Sequence, residues 1–250
     1  MKRDLKKIPS VASRDERDGR ERLVRLYHAC PIPDQEVLAN LGLYQNGPAL
    51  ARILFMNELY QKIVPLHGVI MEFGCRWGQN LALFLNLRGI HEPFNFNRKI
   101  IGFDTFGGFL SVDKKDGPLA KTNGFKVTPG YEQYLEQILA LHDKHNPVGH
   151  MKKFELIKGD AAAGLEQYFR DNPETVIALA YFDLDLYEPT KGCLELIQDH
   201  LAKGSILGFD ELNYHDFPGE TLALKEVMGL RNHRLTRCLY SRTNCFVELG

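Results

Sequence analysis

Carboxylates gather in two short stretches, Asp183 with Asp185 in FDLD and Asp210 with Glu211 in FDE. Asp183 and Asp185 alternate along the end of an apolar run, so in a strand both face the same way. One strand–helix–strand unit separates 183 from 210, which makes the two ends neighbours. Acids packed so closely cannot all ionise without a compensating charge. Oxygen-only ligands of this kind suit a hard cation, Mg²⁺ first and Mn²⁺ or Ca²⁺ next. Such a cation lowers the pKa of a bound hydroxyl, and a neighbouring carboxylate can take its proton. Asp183 is the first candidate for that base, and His215, a lone loop histidine, is the second. Helix capping and solvated strand ends are the plainer readings of the same acids.

A second constellation lies earlier in the chain. Glu72-Phe-Gly74-Cys-Arg-Trp-Gly78 is a strand-to-helix turn with glycines four apart and an acid ahead of them. Glycine lets a ligand lie against the backbone, and the helix N-terminus behind it favours a negative group. The spacing is not the GxGxxG of dinucleotide-binding enzymes. A zwitterion with a sulfonium meets both demands, its carboxylate on the amides and its ammonium towards acids or carbonyls. Asp104, followed by Thr105, closes the next strand, where an acid can accept from both hydroxyls of a ribose. Asp160 closes the third, and there it serves equally as a helix cap or as a neighbour of an adenine.

The elements that must position these residues alternate from residue 68 onward. Apolar runs at 68–74, 99–104, 153–160, 176–185 and 204–211 read as strands. Helical spacing at 78–88, 131–145, 190–201 and 219–230 lies between or after them, with a shorter helix following 160. Unbroken apolar strands separated by helices imply a doubly wound, mostly parallel α/β sheet. The terminal runs RLTRCLY and CFVELG read as an antiparallel hairpin. Residues 1–65 read as a helical extension, which together with the 105–130 loop is a candidate lid over the main domain at 66–250.

MEFGCRWGQN, IIGFDTFGGF, KGDAAAGLEQYF, FDLDLYEPT and ILGFDELN together resemble the macrocin O-methyltransferase family of class I methyltransferases, over roughly 65–230. The resemblance implies a seven-stranded Rossmann-like sheet and S-adenosylmethionine as cofactor. It implies that Glu72, Gly74 and Gly78 line the methionine end, Asp104 and Thr105 the ribose, and Asp160 the adenine. It also implies Mg²⁺ held by Asp183, Asp210 and Glu211, where the family pair is often Asp-Asp. The expected reaction is O-methylation of a nucleotide-linked deoxysugar or a glycosylated product, by a homo-oligomer. A catechol or phenol acceptor is the rival within the class, and a nicotinamide-dependent oxidoreductase the rival outside it.

Composition excludes other classes. A formal net charge of −1 and a pI of about 6.8 leave no broad basic field for nucleic acid. The 5 cysteines are scattered, with no CxxC pair, which points to a reducing compartment. The start MKRDLKKIPS has no apolar leader behind it, and no window is apolar enough to span a membrane. Cytoplasmic is the expectation.

Overall fold

A computed structural model describes residues 12–250, so the reading of MKRDLKKIPS lies outside the described residues. The chain forms two compact units that meet at Ala51 and Arg52. In the first, α1 (Arg14–His28) opens on a reciprocal capping box between Ser13 and Glu16, and a short α2 (Asp34–Val37) follows Pro33. The next helix, α3 (Gly47–Ile63), runs from the end of the first unit into the second.

The second unit is a seven-stranded sheet in the order β3-β2-β1-β4-β5-β7-β6. Its parallel strands are β1 (Val69–Phe73), β2 (Ile100–Asp104), β3 (Phe154–Lys158), β4 (Ile177–Phe182) and β5 (Leu201–Phe209). The crossovers carry α4 (Gln79–His91), α5 (Tyr131–His145), α6 (Ala161–Asp171) and α7 (Tyr187–Ile197), and α8 (Gly219–Val227) follows β5. Finally β6 (Leu235–Arg237) and β7 (Cys245–Glu248) pair antiparallel, with β7 against β5. This is the doubly wound sheet and closing hairpin expected from the alternation of apolar runs. The α7 helix begins three residues earlier than its pattern suggested, because Leu186 leaves extended backbone directly before Tyr187.

Burial explains the unbroken apolar runs. β1 and β4 are buried at every residue, having helices on both faces. The last residues of four adjacent strands carry a ladder of phenylalanines. Phe103, Phe73, Phe182 and Phe209 stack in succession with centroids 5.1, 5.0 and 5.1 Å apart. All four are buried on one side of the sheet. Each strand thus ends at the same level, and the residue after or at the end of each is Asp104, Gly74, Asp183 or Asp210. The strand order reverses between β1 and β4, where an open α/β sheet has its crevice. All five cysteines are free. No helix among the described residues is long and apolar enough to cross a membrane.

Candidate active site

The hydrogen-bonded ladder continues one step past each strand and sets the rim. Asp183 N donates to Phe73 O at 2.8 Å, Gly74 N to Phe103 O at 2.8 Å, Asp210 N to Phe182 O at 2.9 Å and Gly159 N to Asp104 O at 2.9 Å. The strand ends carrying Glu72, Asp104, Asp160, Asp183 and Asp210 therefore follow one edge of the sheet.

On the β1 side, Gly74 has φ +91° and a Cβ there would stand 1.9 Å from Asp183 O, so no side chain fits. Gly78 (φ +72°) caps α4 without a side-chain hydrogen bond, which leaves first-turn amides open to an anionic group. Glu72 is 1% exposed; Asn80 Nδ2 donates to its Oε1 at 2.8 Å, while Oε2 has no partner. Burial, then Asp183 nearby, pushes its carboxyl well above the usual range. The two oxygens of Asp104 accept from Arg76 N at 2.7 Å and Phe106 N at 2.5 Å, binding the glycine turn to the loop after β2. Thr105 Oγ1 donates to Gly108 O at 2.8 Å and accepts from Gly107 N at 3.1 Å, folding that loop on itself. Asp160 is exposed and caps α6, its Oδ1 accepting from Ala163 N at 2.9 Å. Farther along the loop, Asp116 pins the chain to the start of α7 by accepting from Tyr187 N at 2.6 Å.

On the β4–β5 side the acids meet. Arg52 Nη1 donates to Asp183 Oδ2 at 3.2 Å, and Nη2 to Asp210 Oδ2 at 2.9 Å. Asp210 Oδ1 accepts from the Tyr181 hydroxyl and from Asn244 Nδ2, both at 2.6 Å. Desolvation and the charge of Asp210 push the Asp183 carboxyl well up, with Arg52 opposing. Asp185, in the left-handed region at φ +62°, is raised by burial and by Glu211. Glu211 is itself pushed up to about 7 by desolvation and the neighbouring aspartates, and its buried Oε2 has no partner. His215 is exposed on the loop after β5.

Several contributors escaped the sequence reading. Glu220, fully buried in the first turn of α8, accepts from Leu184 N at 3.0 Å, Asp185 N at 3.1 Å and Glu211 N at 3.2 Å. It joins the loops after β4 and β5 and holds the two acidic pairs together. From sequence the 218–220 segment reads as shaping the substrate side or as turn and packing residues, which says nothing of this reach. Arg52 and Asn244 come from opposite ends of the chain, and no local pattern singles them out.

Whether a hard divalent ion fits can be judged from these atoms. The set offers only oxygen, carries more negative charge than one guanidinium balances, and leaves Glu211 Oε2 unsatisfied, all of which suit such an ion. Among the described residues, however, no three acids, histidines or cysteines converge on a ligating position. The donor chemistry fits, and the guanidinium stands among the donors.

The fold matches solved structures. No family profile and no curated protein matches the chain. A structure described as the calicheamicin methyltransferase CalS11 superposes with a TM-score of 0.93 at 40% identity, covering 100% of this chain and 98% of that one. An apo form, described as a TDP-rhamnose 3'-O-methyltransferase in calicheamicin biosynthesis, gives 0.86 at 38% identity over 99% and 100%. The O-methyltransferase NovP, at 15% identity and a TM-score of 0.54, shares the fold. With that identity sustained from end to end, the chain belongs to the macrocin O-methyltransferase-like family of class I S-adenosylmethionine-dependent O-methyltransferases.

Proposed function

We propose that the chain methylates a hydroxyl of a deoxysugar, carried on a nucleotide or a glycosylated product, with a divalent ion, Mg²⁺ first, at the acid cluster. The observation that carries this reading is the surplus of buried carboxylate at the β4–β5 rim, with Glu211 Oε2 unpartnered. The sugar acceptor draws support from the CalS11 structure, described as acting on TDP-rhamnose.

Each residue then has a task. The open first-turn amides of α4, behind Gly78, receive the methionine carboxylate, and the free Oε2 of Glu72 receives the ammonium. Gly74 keeps the backbone bare beside them. Asp104 and Thr105 face the ribose, and Asp160 the adenine. Asp183, Asp210 and Glu211 would hold the ion, which would lower the pKa of the acceptor hydroxyl. Asp183, beside the acceptor oxygen at the strand end, accepts the hydroxyl proton. His215 is the alternative base, and its exposure on a loop makes it the weaker one. Glu220 keeps the two acidic loops in register, so the attacking oxygen and the sulfonium methyl meet in line.

The test is methyl transfer from labelled S-adenosylmethionine to TDP-rhamnose and to catechol, each with and without EDTA. Transfer to the sugar nucleotide that EDTA removes and Mg²⁺ restores is the expected result. Transfer to catechol alone overturns the acceptor, and EDTA-resistant transfer overturns the metal.

A further inference from the structure

Arg52 lies six residues into α3 and reaches into the acid cluster between two of the proposed ion ligands. Its Nη2 straddles the Asp210 carboxylate, 2.9 Å from Oδ2 and 2.8 Å from Oδ1. Oδ1 is already engaged by Tyr181 and Asn244, so Oδ2 is the oxygen that Asp210 has left to offer. Arg52 takes that oxygen and, through Nη1, one oxygen of Asp183 as well. Glu211 alone of the three keeps a buried oxygen without a partner. A guanidinium fork bridging two carboxylates does geometrically what a small divalent ion does.

We infer that Arg52 holds the position a divalent ion would take, so that guanidinium and ion exclude each other at Asp183 and Asp210. The inference rests on the metal reading above and assigns this chain a built-in competitor for its own metal. Two observations make the exchange feasible. The Arg52 side chain keeps 30% of its exposure, so a path to water is open to it. The cluster also has more carboxylates than one positive charge can balance, and a doubly charged occupant compensates them better. Arg52 is thus a positioning residue: it holds Asp183 and Asp210 apart and aimed, and its departure opens both at once.

The experiment titrates Mn²⁺ alone into the full chain, reading free ion by electron paramagnetic resonance, without cofactor or acceptor. Arg52→Met keeps the apolar stem and removes the charge; Arg52→Gln repeats the test with a neutral hydrogen-bonding group should the first variant fail to fold. Either variant is expected to bind Mn²⁺ about tenfold more tightly than the wild type, the scale of one unit charge removed from a partly solvated site. Adding Asp183→Asn to either variant should abolish that gain. If the variants bind no more tightly while Asp183→Asn weakens the wild type, the metal site stands and the competition is refuted. If neither wild type nor variants take up Mn²⁺, the metal reading falls and the inference with it.

Discussion

Strand β2 joins two clusters of sheltered charge that have been resolved in opposite ways. Just before it, Arg98 is fully buried and spends its donors on Glu92, Ile63 O, Leu66 O and Gly68 O. Glu92 receives Tyr60 and Asn95 besides. Burial raises the Glu92 carboxyl, but these hydrogen bonds outweigh it and hold the group below its ordinary value. At the other end, beyond Asp104, acids outnumber cations, Glu72 and Glu211 each keep an unpartnered oxygen, and every shifted carboxyl moves upward. Both clusters cost desolvation energy. One is closed by its own partners and serves stability; the other is left incomplete, the condition of a surface that binds something.

The comparison breaks first at its closed end. Arg98→Met leaves Glu92 buried beside three carbonyls that have lost their donor, and should cost about 3–5 kcal/mol in urea unfolding. A loss under 1 kcal/mol would mean that the closed cluster is not closed. At the open end, Asp183→Asn removes one of several repelling acids. Stability should stay within about 1 kcal/mol of wild type. Turnover should fall about a hundredfold or more, as for loss of a proton acceptor. Comparable losses of stability at both ends would erase the distinction.

The two ends also respond to pH with opposite sign. Glu92 is lowered on folding, so its contribution is present above its unfolded pKa and disappears as pH falls. Glu211 is raised from 4.5 to about 7, so the folded state holds its proton longer than the unfolded chain does. Stability therefore declines as pH rises through that window, the sign opposite to Glu92. With divalent ions chelated, Tm should drop by several degrees between pH 5 and 8, at about 2–4 °C per kcal/mol in a chain this long. Glu211→Gln should flatten that slope, and an unchanged slope would place the shift on another acid.

Much of this was legible in the residues. The period of the apolar runs announced the sheet, and FG, FD, FD and FD at four strand ends placed glycine and acids along one rim. Those phenylalanines read as core, and their stacking across the strands shows only in three dimensions. The acids proposed as ion ligands were legible as donor chemistry, whereas their counter-ion was not. Arg52 is 131 residues from Asp183, in a helix whose pattern advertises only packing. Asn244 and Glu220 likewise act through tertiary contacts that no spacing encodes. Local pattern reports periodicity and donor type; the satisfaction of buried charge is a property of the assembled rim.

Asp160 gives the smallest test and lies between the two kinds of cluster. It is exposed, and its observed bond is a cap to Ala163 N, a structural task, while the adenine role is proposed. Asp160→Ala cannot separate the two, since a lost cap alone costs about 0.5–2 kcal/mol. Asp160→Asn can, because asparagine caps as well as aspartate and removes only the charge. Melting should then be unchanged, while S-adenosylhomocysteine binding by calorimetry weakens about fivefold, close to 1 kcal/mol, as a charge-assisted bond becomes a neutral one. Unaltered affinity would assign Asp160 to the structural side of the comparison, and the nucleoside would then be gripped by Asp104 and Thr105 without it.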